Sequence, residues 1–416
     1  MPGRILIVLM FILLTDVMLH LMPGWCIVSR SVRRRLRMIN MVVACTWYLF
    51  SIIFIIANGY PDEDPLAYRL YFQWMNLGIL LYLSKFILLL FLIPLIPACL
   101  SMKKRKESRK PGWFYLYKYF WTITAIFFSL LTFYIITDGI YRGNKQFQVR
   151  RVDIAFPDLP PAFNEFTIAQ FSDIHLGSWK DKKTVEDMLA AIQSFRPDMI
   201  VFTGDLINVN ISETDIYKED FRKLTALAGK FAILGNHDVG DFARRKREEA
   251  IGRHIPALER FYEATGFSLL RNQHHFIYKG LDSIAIAGTD NWSKHRHRQM
   301  GDLEKAIRGI GDSCFTILLT HDPSHWTEEV LPSSKIGLTL SGHTHAGQLV
   351  FTFAGRTWSP VSLLYPTWYG LYQKGERYLY VNPGLGFVGF TARSGIAPEI
   401  TLLNLRKSSR NKTFRQ

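Results

Sequence analysis

The sequence has few cysteines, and long apolar runs are missing from everything beyond about residue 150. Of the four cysteines, only Cys314 lies in that later part, so a disulfide framework is excluded there. The missing apolar runs also exclude further membrane spans in it. Short apolar stretches alternate with polar turns instead, and this pattern predicts an α/β domain.

Acidic residues are the scarcer charged class, with 35 Asp and Glu against 50 Lys and Arg and a formal net charge of +15. In a soluble protein such an excess of positive charge would suggest a nucleic-acid partner. Here many of the basic residues form tight clusters beside apolar segments, which membrane topology explains more simply. We therefore expect membrane lipids as partners and no nucleic acid.

Residues 1–140 contain four apolar segments that are long enough to cross a bilayer, which takes about 20 residues. The segments are residues 5–22, 39–57, 77–100 and 119–136, and they predict an all-α, four-helix transmembrane anchor. No small-residue cleavage site follows the first segment, so we favour a retained helix over a signal peptide. Asp16 and Lys85 are costly in hydrocarbon, and we expect a structural ion pair in preference to a transport or substrate role.

Charges in the loops predict the orientation of the anchor. Basic residues lie at 30–37 and 103–110, whereas acidic residues occupy 62–64. By the positive-inside rule both basic loops face the cytoplasm, which places both termini outside. The expected localisation is an integral, multi-pass cell membrane protein with an extracytoplasmic C-terminal domain. The basic residues at 142–151 argue for the opposite side.

Metal-competent side chains follow five short apolar strands in the C-terminal part. The predicted strands are residues 166–171, 199–202, 231–234, 316–320 and 336–340, with a helix at 185–192. The polar residues at their ends are Asp173, His175, Asp205, Asn236, His237, Asp238, His321, His343 and His345. Because α/β sites gather at the carboxyl ends of strands, we expect these side chains to meet.

The ordered blocks DIH, GDLIN, GNHD, LLTHDP and GHTH resemble the calcineurin-like metallophosphoesterase superfamily over residues 150–405. The later stretches GHTHAGQ and YVNPGLG are similar to its bacterial, membrane-associated YkuE/YaeI-like branch. The resemblance implies a β-sandwich flanked by helices and a binuclear centre of Mn, Fe or Zn. Asn208 departs from the pattern, because many relatives carry a second aspartate there, and we expect this change to tune the site.

The resemblance also implies a role for each of these residues. The ligands of one ion would be Asp173, His175 and His345. The ligands of the other would be Asn236, His321 and His343, and Asp205 would bridge both ions. His237 would act on the leaving oxygen as a general acid or charge donor, with Asp238 orienting it. The implied reaction is hydrolysis of a phosphomonoester or phosphodiester by a hydroxide that bridges the ions.

Alternative interpretations remain at this point. Any one of these histidines alone is more often a core residue than a ligand, and only the whole set favours a site. We interpret His254, His274, His275 and His325 as surface or supporting residues. Arg393 fits a substrate-phosphate contact and a structural ion pair equally well. The basic run 294–298 is more simply a solvated charge run than a phosphate or lipid contact, and residues 406–416 form a basic tail predicted to be disordered.

The substrate is the least constrained part of the prediction. Tethering beside a bilayer makes a lipid-linked or cell-envelope phosphoester attractive. One alternative function is a pyrophosphohydrolase acting on a nucleotide-linked lipid precursor of the UDP-diacylglucosamine type. From a different class, the chain could be a non-catalytic membrane sensor or transport protein with a metal-phosphate-binding domain.

Overall fold

The computed structural model describes residues 2–21, 30–58, 65–104, 111–143, 146–179, 181–240, 247–293, 299–334 and 336–408. One compact unit contains Met1–Pro61 and Leu70–Ile140, and another contains Asp62–Arg69 and Tyr141–Gln416. The acidic loop 62–64, the basic residues 105–110 and Lys145, the basic run 294–298 and most of the predicted tail lie outside the described residues.

The N-terminal unit consists of helices. They are α1 (Pro2–Leu21), α2 (Arg30–Asn58), α3 (Pro65–Leu92), α4 (Leu95–Lys104) and α5 (Gly112–Tyr141). Among the described residues, three stretches are long and apolar enough to cross a membrane, namely Ser31–Ile53, Arg69–Leu92 and Gly112–Tyr141. The first predicted span corresponds to α1, whose described apolar part, Ile12–Leu21, is shorter. The predicted count of four spans is therefore not confirmed.

The third predicted span, residues 77–100, is not one continuous helix. It covers the end of α3 and most of α4, which are separated at Ile93 and Pro94. Proline lacks the backbone N–H that continues a helix, and its ring crowds the preceding turn. The break therefore falls where the sequence places a proline.

The expected ion pair between α1 and α3 is present. Lys85 Nζ lies 2.8 Å from Asp16 Oδ1, and the Tyr82 hydroxyl donates to Asp16 Oδ2 at 3.2 Å. The side chains of Asp16 and Lys85 are only 7% and 16% exposed. Opposite charge and the phenol hydrogen bond offset the cost of removing both ions from water. The pair joins two helices, in agreement with the structural interpretation.

The C-terminal unit contains two six-stranded sheets and a separate hairpin within the described residues. Strands of the first sheet are β1 (Gln148–Phe156), β2 (Phe166–Phe171), β3 (Met199–Phe202), β4 (Lys230–Ala232), β5 (Ser268–Leu269) and β14 (Glu399–Lys407). Strands of the second are β6 (Gln273–Lys279), β7 (Asp282–Gly288), β8 (Thr316–Leu319), β9 (Leu338–Ser341), β12 (Gly370–Lys374) and β13 (Arg377–Val381). The orders are β1-β14-β2-β3-β4-β5 and β12-β13-β9-β8-β7-β6, and the hairpin joins β10 (Phe351–Phe353) to β11 (Arg356–Trp358).

Helices alternate with these strands. They are α6 (Lys182–Ser194), α7 (Lys218–Arg222), α8 (Arg247–Thr265), α9 (Leu303–Ile307) and α10 (Leu331–Ser333). Short 3₁₀ helices cover Pro161–Phe163, Leu176–Ser178, Ile211–Thr214, His345–Gln348 and Pro360–Leu363, and a π-helical turn covers Trp326–Val330. The unit therefore has the mixed sheets and helices that the sequence predicts.

Alternating side chains along the strands belong to different hydrophobic clusters, as the period of two in a strand requires. Met199 and Val201 of β3 pack in a cluster that also contains Ile317 of the second sheet. Their neighbour Phe202 instead packs with Leu189 of α6. The opposite face of the second sheet packs with residues of α9 and of the π-helical turn. The two sheets thus share one core, and helices cover their outer faces.

Candidate metal centre

The predicted site residues lie in loops that follow β2, β3, β4, β8 and β9. Strands β2, β3 and β4 are parallel, and so are β8 and β9, so their carboxyl ends lie at common sheet edges. Asp173, His175, Asp205, His343 and His345 have φ angles between 45° and 72°, a left-handed conformation that non-glycine residues rarely adopt. Such backbone strain concentrates at functional sites.

Two glycines leave room for the carboxylates at these strand ends. A Cβ atom on Gly235 would overlap the carboxylate of Asp205, and one on Gly342 would overlap the carboxylate of Asp173. Glycine in the GNHD and GHTH blocks therefore allows neighbouring loops to approach each other closely.

The loops bring the predicted ligands together in three overlapping groups of donor atoms. The groups are Asp173 with His175 and His345, His175 with Asp205 and His237, and Asp205 with His321 and His343. Within each group the donor atoms all lie within 4.8 Å of one another. His345 Nε2 is 3.4 Å from Asp173 Oδ1, and His321 Nε2 is 3.2 Å from Asp205 Oδ2. Asp205 belongs to two groups, so its carboxylate lies centrally.

Asn236 directly precedes His237, whose backbone N–H donates to Asp205 Oδ1 at 2.8 Å. The side-chain oxygen of Asn236 is buried and has no hydrogen-bond partner among the described residues. A buried acceptor without a partner is costly, and a cation would satisfy it. Carboxylates, imidazoles and an amide oxygen together suit divalent ions such as Mn, Fe or Zn. The residues present thus fit the implied metals.

Backbone carbonyls orient two of the imidazole rings. His175 Nδ1 lies 3.3 Å from the carbonyl of Ile207, and His321 Nδ1 lies 2.7 Å from that of Thr203. A carbonyl oxygen only accepts, so each Nδ1 carries a proton and each Nε2 faces the donor groups. Histidine ligands of metal sites are commonly held in this way.

His345 is held differently. Arg393 Nη2 lies 3.3 Å from His345 Nδ1, and a guanidinium only donates. Ligation through Nε2 would place a proton on Nδ1, so it requires the contact with Arg393 to lengthen. Arg393 is fully buried and also donates to the carbonyls of Pro383, Gly384 and Gly386. Arg393 therefore holds the loop of residues 383–386 through backbone carbonyls.

Burial and mutual charge set the protonation of the cluster. Burial, with the charge of His237, lowers the pKa of His175 to about 3, which leaves its ring neutral and able to act as a ligand. Burial also disfavours a charged His321, but Asp205 and Asp173 outweigh it and raise the pKa of His321 to about 10. Although burial opposes ionisation of Asp205, His321 and His237 hold the pKa of this carboxyl well below its usual value. A bound cation would thus displace the proton of His321.

The structure gives the carboxylate of Asp238 several backbone partners. The buried carboxylate of Asp238 accepts hydrogen bonds from the backbone N–H groups of Asp205, Leu206 and Gly235, at 2.8 to 2.9 Å, and a longer one from Ile207. It therefore fixes the backbone that presents Asp205. The orienting role toward His237 that the resemblance implies stays a prediction.

His237 is oriented by the loop after β3. Its Nδ1 donates to the carbonyl of Asn208 at 2.8 Å, and its backbone N–H donates to Asp205 Oδ1 at 2.8 Å. Its ring centre lies 4.7 Å from that of His175. A ring nitrogen of His237 belongs to the donor group that also contains His175 and Asp205.

Two residues near the site were missed in the sequence. The Tyr365 hydroxyl lies 2.9 Å from His343 Nε2, and no motif marks it. Glu213 is buried, and its carboxylate accepts the backbone N–H groups of Gly177, Asn208, Val209 and Asn210 at 2.6 to 3.0 Å. An N-x-x-E capping pattern at Asn210 and Glu213 marks the start of a helical turn and could have revealed it.

Among the residues that the structure describes, His254, His274, His275 and His325 are in none of the donor groups. His325 is buried, with its ring nitrogens near Thr320 and Glu329 and its ring stacked on Trp292. His274 Nδ1 lies 3.0 Å from the carbonyl of Ala306. Both serve packing and hydrogen bonding, in agreement with their interpretation as supporting residues.

Comparisons with known proteins agree with the motif blocks. Residues 166–347 match the calcineurin-like phosphoesterase family. An uncharacterized metallophosphoesterase, YkuE of Bacillus subtilis, is 32% identical over 259 residues, which are 60% of this chain and 82% of that protein. An uncharacterized metallophosphoesterase of Campylobacter jejuni is 31% identical over 67% of this chain and 68% of its own length. A transmembrane protein with metallophosphoesterase domain from Danio rerio is 27% identical over 67% of this chain and 62% of its own length.

Proposed function

Because the chain belongs to the calcineurin-like phosphoesterases and is thus a metal-dependent phosphoesterase, we propose that it is a membrane-anchored enzyme that hydrolyses a phosphomonoester or phosphodiester at the donor groups around Asp205. The observation that carries this proposal is the position of the Asp205 carboxylate, whose Oδ2 lies 3.5 Å from His175 Nε2 and 3.2 Å from His321 Nε2. A shared carboxylate between two sets of ligands is what a two-ion site requires.

We assign the ligands as the motif pattern implies. Asp173, His175 and His345 would hold one ion. Asn236, His321 and His343 would hold the other, with Asp205 between them. Two divalent ions, when bound, supply Lewis acidity that neutralises a phosphate and lowers the pKa of water.

The remaining roles fall to the protein's own groups. His237, held through Nδ1 by Asn208, directs Nε2 toward the substrate and in its protonated form donates a proton to the leaving oxygen. Asp238 acts as a positioning residue, since its hydrogen bonds fix the backbone on both sides of Asp205. Asn208 contributes through its carbonyl, which would explain why an amide is tolerated there.

We propose residues 1–140 as the anchor and residues 150–405 as the catalytic domain, with the two sheets forming the β-sandwich of the family. The anchor would cross the membrane four times, with α1 as the first span. The catalytic domain would then be extracytoplasmic and would act on a lipid-linked or cell-envelope phosphoester. The apolar helices and the transmembrane relatives support membrane attachment.

Hydrolysis of bis-p-nitrophenyl phosphate and p-nitrophenyl phosphate by the purified full-length chain with Mn²⁺ tests the catalytic proposal. Asp205→Ala should lower turnover about a thousandfold, because several kcal/mol of charge stabilisation are removed. Asp187→Ala is a matched control, since that carboxylate is exposed and pairs only with Lys183. Equal turnover in Asp205→Ala and the parent would refute the assignment, as would an inactive parent with two ions bound.

Sidedness is tested with Leu281→Cys, which places a thiol at a fully exposed turn between β6 and β7. A membrane-impermeant maleimide should label this cysteine in intact cells. Labelling only after lysis would place the catalytic domain in the cytoplasm and would contradict this part of the proposal.

A further inference from the structure

The chain between β9 and β12 exposes large apolar side chains beside the site. They are Phe351, Phe353, Trp358, Leu363 and Leu364, and we call this set the apolar rim. Phe353, Leu363 and Leu364 are 85%, 79% and 77% exposed. Single exposed apolar residues are ordinary on a protein surface, but a concentration of them marks an interaction site.

The aromatic part of the rim lies on one face of the hairpin. Phe351 pairs across the strands with Trp358, and Phe353 pairs with Arg356. Residues two apart in a strand point to the same side, so the three aromatic side chains share a face with the guanidinium. Within the described residues β10 and β11 pair only with each other. A two-stranded hairpin is marginal in water, and this one presents its apolar face outward.

The rim is fastened at several points to the loop that carries His343 and His345. The Tyr365 hydroxyl, one residue after Leu364, lies 2.9 Å from His343 Nε2. Ser359 Oγ donates to the carbonyl of Ala346 at 2.8 Å, directly after His345. Thr344 Oγ1 donates to the carbonyl of Trp368 at 2.6 Å. Whatever covers the rim therefore lies next to the candidate metal centre.

We propose that the apolar rim inserts into the lipid–water interface of a bilayer and presents the site to phosphoesters in the headgroup layer. The inference rests on the proposed function, and it names the partner surface and the class of substrate. The hairpin and the two leucines would enter the acyl boundary, and Arg356 would remain among the headgroups.

The same chain supplies reasons to choose a bilayer as the occupant. It has helices long and apolar enough to cross a membrane, and only residues 142–147 separate α5 from β1. The connection in sequence between these helices and the domain is therefore short, which favours a bilayer as the occupant. No Asp or Glu occurs between His343 and Glu376, so the rim carries no charge that anionic headgroups would repel. Phe, Trp and Leu beside a cation are typical of segments that lie in the interface.

Depth-dependent quenching tests the proposal with the full-length chain in vesicles of phosphatidylcholine and phosphatidylglycerol. The native cysteines are replaced by serine, and an environment-sensitive fluorophore is attached at Phe353→Cys. Leu281→Cys is the matched control, because Leu281 is also an exposed apolar residue at a hairpin turn, between β6 and β7. Brominated acyl chains should quench the label at position 353 at least about twofold more than the label at 281, since the bromines lie in the hydrocarbon.

Equal quenching at the two positions, or none at 353, would overturn the proposal. If the label at 353 is instead shielded from aqueous iodide without being quenched by bromolipid, a protein surface covers the rim and the lipid assignment is wrong. Turnover of bis-p-nitrophenyl phosphate is measured on the same labelled proteins. Loss of that activity bears on the proposed function, whereas the quenching ratio bears on the rim alone, so the two failures are distinguishable.

Phe353→Ser combined with Leu364→Ser gives a second measurement. Turnover of water-soluble bis-p-nitrophenyl phosphate should stay at the level of the parent, which shows that the fold is retained. A short polyethylene glycol chain attached through maleimide at Thr352→Cys should react faster in this variant than in the parent background, because the hairpin leaves the interface. An unchanged reaction rate would count against insertion.

Discussion

Replacing Glu213 by glutamine should loosen the loop that orients two of the site histidines. The carboxylate of Glu213 accepts Gly177 and Asn208 through Oε2, and Val209 and Asn210 through Oε1. The loop it holds supplies the carbonyl of Ile207 to His175 and the carbonyl of Asn208 to His237. Glu213 thus acts on the site through the backbone without being part of it.

The size of the effect follows from the hydrogen bonds. Glutamine has one acceptor oxygen, so one pair of backbone N–H groups keeps an acceptor and the other pair faces an amide that only donates. Hydrogen bonds to a charged group contribute about 1.5–3 kcal/mol each, so losing two should lower the free energy of unfolding by about 3 kcal/mol or more. Domains are stable by about 5–15 kcal/mol, so the variant should remain folded. Displacing groups that orient ligands costs about 10–100-fold in metal affinity.

Mn²⁺ titration and thermal unfolding of the full-length chain measure both effects. Glu219→Gln is the control, because its side chain is 68% exposed and bridges only Arg222 at the surface, a pair that contributes little. We expect Glu213→Gln to weaken metal binding at least about tenfold while the control changes neither quantity. A Glu213→Gln variant with unchanged metal affinity and stability would refute the positioning role.

Three further predictions concern the site itself. His237→Ala should slow hydrolysis of alkyl phosphates about a hundredfold or more but barely affect p-nitrophenyl phosphate, whose leaving group needs no proton; equal losses on both would argue for a charge donor. Gly342→Ala should reduce Mn²⁺ content on elemental analysis, because its methyl group would meet the carboxylate of Asp173, whereas Gly311→Ala, with open space at that position, should not. Asp205 and Asp173 raise the pKa of His321 to about 10, although burial lowers it. Metal binding at a pH below this pKa should therefore release the proton of His321. Mn²⁺ affinity should then rise about tenfold per pH unit between pH 7 and 9, and calorimetry in two buffers that shows no proton release would contradict this.

The sequence predicts the strands that deliver the site better than the rest of the fold. Predicted and observed bounds agree for β2 (Phe166–Phe171) and β3 (Met199–Phe202), because each is a buried apolar run that ends at polar residues. Strand β4 (Lys230–Ala232) starts one residue before the predicted 231–234 and ends two residues earlier. The hairpin of β10 and β11 was not predicted, since its aromatic residues point to water and give no buried pattern.

Hydrogen-bond partners were less predictable than positions. The carboxylate of Asp238 accepts from the backbone N–H groups of Asp205 and Leu206, and no sequence pattern predicts these partners. Arg393 likewise binds the carbonyls of Pro383 and Gly386, which residue type alone does not predict. The hydrogen-bond partners of these side chains depend on which loops lie close together in the folded chain. Residue type alone does not determine which loops do so.

Hydropathy locates the apolar part of a helix but not its ends. Helix α2 starts at Arg30, before the predicted span at residue 39, and α5 starts at Gly112, before residue 119. Backbone hydrogen bonding continues through the basic and aromatic residues that flank the apolar segments, so each helix is longer than its span. The break at Pro94 between α3 and α4 is not visible in hydropathy averaged over a window of residues.

The number of metal ions bound tests the central claim most directly. Full-length chain purified with Mn²⁺ should contain two ions per chain by elemental analysis, and Asn236→Ala should retain one, because Asn236 is assigned to only one of the two ions. A parent that binds less than one ion, or an Asn236→Ala variant that still binds two as tightly as the parent, would contradict the account.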